Sequence, residues 1–251
     1  MLRINKVSKK YGNKNVVKEV SFDIPKGKVT SFIGPNGAGK STVFNMIARL
    51  ITKDCGDINL DDMDVTKWNS NELAKRLAIL KQNNTMSLKL TIEELVAFGR
   101  FPYSQGRITK EDREKIDEAI AYMELDEIRN RYLDELSGGQ RQRAFIAMVI
   151  AQDTEYILLD EPLNNLDIKH SIHMMQTIQK LCYERGKTII VVMHDINFAS
   201  CYSDYIIAYK DGEIVKAGES KEVINEEVLE QIYEIPFRIQ TIENRSICVY
   251  F

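Results

Sequence analysis

Residues 34–41 read GPNGAGKS and satisfy GxxxxGK[ST] at every fixed position. The apolar run Val29–Ile33 before it predicts a buried strand. Residues 40–50 after it have helical composition, with Val43, Phe44, Ile47 and Leu50 spaced to form one apolar face. A strand that runs into a glycine-rich loop and then a helix is a phosphate-binding arrangement. Gly34, Gly37 and Gly39 let the backbone curl so that successive N–H groups point at phosphate oxygens, and the helix start adds its positive dipole end. Lys40 is placed to reach β- and γ-phosphates, and Ser41 to ligate Mg²⁺.

The rest of the chain is consistent with one α/β domain over residues 1–251. Leu2 and Ile4, then Val20, Phe22 and Ile24, alternate with polar residues and predict a β-rich start. An all-helical insert is expected over about 91–151. Its clearest helix starts at a Thr109/Asp112 capping box and carries Ile116, Ala119, Ile120 and Met123 at helical spacing. From Tyr156 a β/α rhythm returns: residues 156–159 are apolar, Ile168–Arg185 reads as helix, and 188–193 is a β-branched buried strand. A short tail, about 220–251, is expected to hold one helix around 221–233 and an extended end.

Composition excludes little more. At 44% hydrophobic and 28% charged residues, with a net charge of -3, the chain is neither disordered nor globally drawn to nucleic acid. Cys55, Cys182, Cys201 and Cys248 show no CxxC pair, so they are expected to be reduced thiols. The first twelve residues lack the apolar core of a secretory signal, and no run approaches the ~20 residues that span a bilayer. Membrane association is expected through a partner.

Two further motifs carry chemistry. The run 156–159 leads directly into Asp160 and Glu161, and carboxylates at the carboxyl end of a buried parallel strand lie where such sheets bind ligands. Asp160 is placed to hold the Mg²⁺ shell, and Glu161 to accept a proton from the attacking water. Residues 136–140 read LSGGQ. A serine and two glycines at a helix start leave N–H groups uncovered, which makes a second anion-binding helix end. One chain with two such ends and one γ-phosphate suggests a dimer.

In their order, GPNGAGKS, LSGGQ and YILLDE make the chain resemble the ABC ATPase family over nearly its whole length. The resemblance implies a phosphate-loop ATPase core with an N-terminal antiparallel β subdomain and an inserted α-helical subdomain. It implies that ATP is bound by Tyr11, whose ring matches the aromatic that stacks on adenine, and by Gly34, Pro35, Asn36, Gly37, Ala38, Gly39, Lys40, Ser41 and Thr42. Ser137, Gly138, Gly139 and Gln140 would cover the partner's nucleotide, with Asp167 of EPLNNLD at the dimer interface. Gln82 matches the glutamine that joins the catalytic site to the helical insert, and would share Mg²⁺ with Ser41 and Asp160. His194 matches the histidine that contacts the γ-phosphate, and acts with Glu161, Gln82 and Lys40 in catalysis. The lesser alternatives are that Tyr11 is a surface aromatic beside Gly12 and that Asp167 caps the helix that begins at Ile168, a role compatible with the interface one. His170 and His173 receive no role.

The chain departs from the family pattern at Lys81, Leu163 and Asn164, none of which is expected to touch a catalytic position. EELVAFGRFPY, EPLNNLD and MHDINFASCYSDY are similar to ATPases of ferric-siderophore, haem and cobalamin importers, the siderophore branch in particular. The resemblance implies a homodimer on ATP binding, peripheral at the cytoplasmic face of the cell membrane. It further implies two integral-membrane permease subunits and, indirectly, an extracytoplasmic substrate-binding protein, with no nucleic acid. Met86, Leu88, Leu90, Phe98, Phe101 and Tyr103 divide between core and a groove for a permease helix. Another cargo, or a non-transport ABC ATPase, is the alternative; the long heptad insertions or tandem cassettes of the latter are missing from the sequence.

Overall fold

Apolar alternation near the N-terminus becomes an antiparallel sheet of β1 (Leu2–Tyr11), β2 (Lys14–Ile24), β4 (Cys55–Leu60) and β5 (Met63–Asp64), which brackets β3 (Val29–Ile33) and α1 (Lys40–Ile47) in sequence. The computed structural model describes residues 1–82, 88–164 and 166–251. They divide into two units, Met1–Trp68 with Ile178–Phe251, and Asn69–Thr177. In the first, Leu2 and Ile4 of β1 and Val20, Phe22 and Ile24 of β2 are buried with period-two alternation, and register shifts in the β1–β2 pairing bring Val7 and Val17 to buried positions out of that phase.

Helix α1 stops earlier than its apolar spacing predicts. Arg49 adopts a left-handed φ of 55°, Leu50 N–H donates to Asn45 O at 2.9 Å and Arg49 N–H to Met46 O at 3.1 Å. This is a Schellman closure with arginine where glycine is usual. Arg49 is held there by Nη1 donating to Trp68 O at 2.7 Å. The consequence is that Val43, Phe44 and Ile47 are buried while Leu50 is exposed.

The second unit begins with α2 (Ser70–Ala74) and β6 (Leu77–Leu80), continues through α3 (Ile92–Phe98), α4 (Phe101–Ser104), α5 (Lys110–Tyr122) and α6 (Gly138–Ala151), and returns to β7 (Tyr156–Asp160), parallel to β6. The Thr109/Asp112 capping box forms as predicted, and Thr91/Glu94 makes another at α3. Helices α3, α5 and α6 pack on a core that includes Ile92, Leu95, Ile116, Ala119 and Ile120. Asp112 also takes a buried bond from Arg100 Nε at 2.8 Å, while Arg100 Nη1 donates to Ala151 O at 2.9 Å. The unit spans Asn69–Thr177 and holds strands β6 and β7 together with helices α2 to α6. Helix α7 (Ile168–Arg185) carries the chain out of it.

Back in the first unit, β8 (Thr188–Val192), α8 (Ile196–Tyr202), β9 (Tyr205–Lys210) and β10 (Glu213–Glu219) complete a sheet ordered β10-β9-β3-β8. Strand β3 is parallel to both β8 and β9 and buried at all five residues. The helix expected over 221–233 is two, α9 (Ser220–Val223) and α10 (Glu226–Tyr233). Asn225 breaks the run by leaving helical dihedrals and accepting Val228 N–H on its side chain at 2.9 Å. The extended end is a hairpin, β11 (Arg238–Ile242) with β12 (Arg245–Val249). Among the described residues no helix is long and apolar enough to cross a membrane.

Candidate active site

In the first unit, the loop between β3 and α1 has the backbone that its glycines predict. Gly34, Gly37 and Gly39 take φ of 138°, 79° and 99°. A Cβ on Gly34 would lie 2.1 Å from Tyr209 O, so this position also needs glycine for close approach. Helix α1 starts at Lys40 with no side-chain cap, which leaves the N–H groups of its first turn, Lys40, Ser41 and Thr42, as the donors of a positive helix end. Lys40 is buried and folds back over the loop, its Nζ donating to Gly34 O at 2.7 Å and Pro35 O at 2.9 Å. An ammonium, an uncapped helix start and left-handed glycines in one loop fit a polyphosphate. Asn36 and Gly37 are exposed at the loop tip and Ala38 is buried beneath it.

Two other predicted residues lie in this unit. Tyr11 ends β1 with half its surface exposed and Lys9 Nζ 5.6 Å from its ring centre, so a ring face is accessible for stacking. His194 follows β8 and is exposed; the preceding Met193 N–H is bonded to Phe32 O, and the following Asp195 caps α8 through Asn197 and Phe198 N–H.

The second unit gathers the remaining predicted residues. Asp160 ends β7, and Glu161 after it turns with a left-handed φ of 51°; both are buried. A non-glycine residue in that conformation at the end of a buried strand is strained, and strain of this kind concentrates at functional sites. Glu161 Oε2 accepts Gln82 Nε2 at 2.5 Å and Asn164 Nδ2 at 2.6 Å. Two amides therefore converge on one carboxylate oxygen. Asn164 was expected to stand apart from the catalytic residues, and this contact corrects that. Its spacing of three residues from Glu161, across a turn, is the signal that could have found it.

At the signature, Ser137 caps α6 and closes a box: Ser137 Oγ accepts Gln140 N–H at 3.3 Å, and Gln140 Oε1 accepts Ser137 N–H at 3.0 Å. That uses the Gln140 N–H, so Gly138 and Gly139 supply the donors of this helix end. Helix α6 is anchored at both ends. Gln142 Nε2 donates to Pro162 O at 3.0 Å, and Gln152 Nε2 to Ala74 O at 2.5 Å, just before β6. Asp167 does cap its helix, Oδ1 accepting His170 N–H at 2.8 Å, and these bonds hold its carboxyl below the usual range. His170, to which the sequence assigned nothing, also meets Asp167 through Nδ1 and lies beside Gly139. Of the apolar residues after Gln82, Leu88, Phe98, Phe101 and Tyr103 are exposed and Leu90 is half-buried; Met86 lies outside the described residues.

A profile of the family described as ABC transporter matches residues 17–164, more than half of the chain. The chain belongs to the ABC transporter family. It is 59% identical over 251 residues, the whole of both chains, to the petrobactin import ATP-binding protein YclP of Bacillus subtilis (strain 168). It is 52% identical over 95% of its length, and 96% of the relative's, to the petrobactin import ATP-binding protein FatE of Bacillus anthracis. Among solved structures, the dimeric MJ0796, a bacterial ABC transporter cassette, superposes with a TM-score of 0.78 at 34% identity, covering 88% of this chain and 99% of that one. As an ABC ATPase the chain binds ATP and hydrolyses it.

Proposed function

We propose that this ATPase powers uptake of a ferric siderophore, petrobactin foremost, by driving a separate membrane permease. The observation that carries the reading is full-length identity at 59% to a petrobactin import ATP-binding protein, with the phosphate loop, acidic strand end and signature all in place. Nothing in an ATPase site encodes cargo, so cargo rests on that relationship alone.

Residues 34–42 hold the triphosphate through backbone N–H groups and Lys40, and Tyr11 stacks on the adenine. Mg²⁺, held by Ser41, Asp160 and the carbonyl end of Gln82, would neutralise charge that develops on the phosphates. The donor set fits: Gln82 gives its amide nitrogen to Glu161, which leaves its oxygen as the ligating end. Glu161 orients the attacking water and accepts its proton, and His194 contacts the γ-phosphate. Ser137, Gly138, Gly139 and Gln140 close on the nucleotide of a second copy, with Asp167 at that interface. ATP thereby joins two chains, and hydrolysis releases them. Exposed Leu88, Phe98, Phe101 and Tyr103 receive a cytoplasmic helix of the permease, which places the subunit at the inner membrane face. A substrate-binding protein delivers cargo on the opposite side.

The test is growth. Deleting the gene should abolish growth when ferric petrobactin is the sole iron source and spare growth on abundant free iron. Wild-type protein should restore it and the Lys40→Ala variant should not, because that variant loses the cation that balances γ-phosphate charge. Intact petrobactin-dependent growth after deletion would refute the cargo assignment.

A further inference from the structure

The loop that binds phosphate begins at a residue with no freedom left. Gly34 admits no side chain, because a Cβ there would strike Tyr209 O of β9 at 2.1 Å. Its carbonyl accepts Lys40 Nζ at 2.7 Å. Its N–H donates, at 3.1 Å, to the hydroxyl of Tyr233, 199 residues further along the chain at the end of α10. Gly34 is buried, so its N–H requires a partner, and the Tyr233 hydroxyl supplies it.

The segment that supplies the hydroxyl is itself fastened. Tyr233 packs on Phe237, ring centres 5.8 Å apart, and Phe237 on Tyr250 of the hairpin at 5.3 Å. The left-handed Glu234 that ends α10 is ion-paired to Lys210 of β9 at 2.7 Å, and Lys210 Nζ also donates to Gln231 O at 2.7 Å. On its other side, β12 exchanges two bonds with Asn197, three residues after His194: Cys248 N–H donates to Asn197 Oδ1 at 2.7 Å and Asn197 Nδ2 to Cys248 O at 3.1 Å. The C-terminal element is thus bonded both to the start of the phosphate loop and to the helix that follows the γ-phosphate histidine. Burial pushes the Tyr233 hydroxyl up to about 12, so it stays protonated and polar rather than charged at any working pH.

We propose that Tyr233 is a positioning residue for nucleotide binding: its hydroxyl fixes the Gly34 peptide and so sets the curl of the loop that receives the phosphates. The inference rests on the ATP-binding reading of residues 34–42. A hydroxyl that acts this way affects affinity, since the loop cradles ATP and ADP alike, and leaves the chemical step to Glu161.

The experiment uses the full chain and compares Tyr233→Phe, which keeps the ring on Phe237, with Tyr233→Leu, which does not. ATP and ADP affinity, steady-state kinetics and amide exchange of the nucleotide-free protein are measured. Tyr233→Phe should weaken ATP and ADP binding equally, by about 3- to 10-fold for one buried neutral hydrogen bond, with kcat at saturating ATP within about twofold of wild type. Amide exchange should accelerate at residues 33–38 and stay unchanged in β11 and β12. If Tyr233→Phe binds nucleotide as wild type does while Tyr233→Leu does not, the residue only packs and the proposal is overturned. Accelerated exchange throughout the hairpin in the Phe variant would overturn it as well. Failure of the wild-type protein to bind ATP would instead refute the phosphate-loop reading.

Discussion

Asn164→Ala should slow hydrolysis without weakening ATP binding. Asn164 Nδ2 lies 2.6 Å from Glu161 Oε2, and Gln82 Nε2 lies 2.5 Å from the same oxygen. Removing Asn164 takes away one of the two amides that converge on Glu161 Oε2, so the carboxylate gains freedom to rotate away from the water that the proposed mechanism has it orient. A hydrogen bond to a charged group contributes about 1.5–3 kcal/mol, and the half-buried setting of Asn164 reduces this to about 1–2 kcal/mol. If all of it serves orientation, kcat falls by about 5- to 30-fold at 1.4 kcal/mol per decade. Asn164→Asp should fall further, because a second carboxylate would face Glu161. Steady-state ATPase kinetics separate the cases: the expected change is in kcat, with KM for ATP nearly constant. A double variant with Gln82→Ala should lose less than the product of the single losses, since both amides restrain one oxygen. An Asn164→Ala protein whose kcat stays within about twofold of wild type, or whose only change is in KM, would refute the argument.

Glu161→Gln keeps the shape of the side chain and removes the base, so turnover should fall by roughly 10² to 10⁴ while ATP converts the protein to a stable dimer in size-exclusion chromatography and ADP does not. Adding Ser137→Arg should dissolve that dimer and preserve monomer ATP affinity; loss of monomer affinity would mean that the signature acts on its own nucleotide. Asp112→Asn leaves the Arg100 guanidinium buried without a counter-charge, and should cost about 3–5 kcal/mol in urea unfolding. Burial opposes ionisation of Asp112, but the Thr109 and Arg100 hydrogen bonds prevail and hold its carboxyl below the usual 3.8. Its stabilisation is therefore complete above that value and lost as pH falls through the lower folded one, so the variant's acid limb should be flatter than wild type's below about pH 4.

What the sequence reveals about this protein is what lies close together along the chain. The phosphate loop, the Thr109/Asp112 box and the buried strand ending at Asp160 each declare themselves within a dozen residues, because glycines, caps and apolar periodicity act locally. Leu50 misled for the opposite reason: its spacing suits α1, but Arg49, held by the Trp68 carbonyl, closes the helix first. Asn225 divided an apparently continuous helix through a cap that competes with its own helical propensity. Asn164 was readable in principle, since Glu161 is only three residues away, but its amide has meaning only once the turn brings it onto the carboxylate. Tyr233 was not readable at all. Its ring looks like one apolar position of an amphipathic helix, and only the folded sheet brings its hydroxyl to Gly34.

The bonds at the two ends of α6 form a closed ring. Its second turn is tied through Gln142 to Pro162 beside Glu161, and its last residue adjoins Gln152, which grips Ala74 at the approach to β6. Strand β6 pairs in parallel with β7, and beyond their ends Gln82 reaches across to Glu161. Helix, strand, strand and three side-chain bonds therefore make a linkage without a loose end. In such a linkage α6 and Glu161, the proposed base, are mechanically joined: a rotation of α6 that keeps every bond in the ring carries Glu161 with it. On the proposed function, the arrival of a second chain at Ser137 would reach Glu161 through this linkage, with no separate messenger between the two.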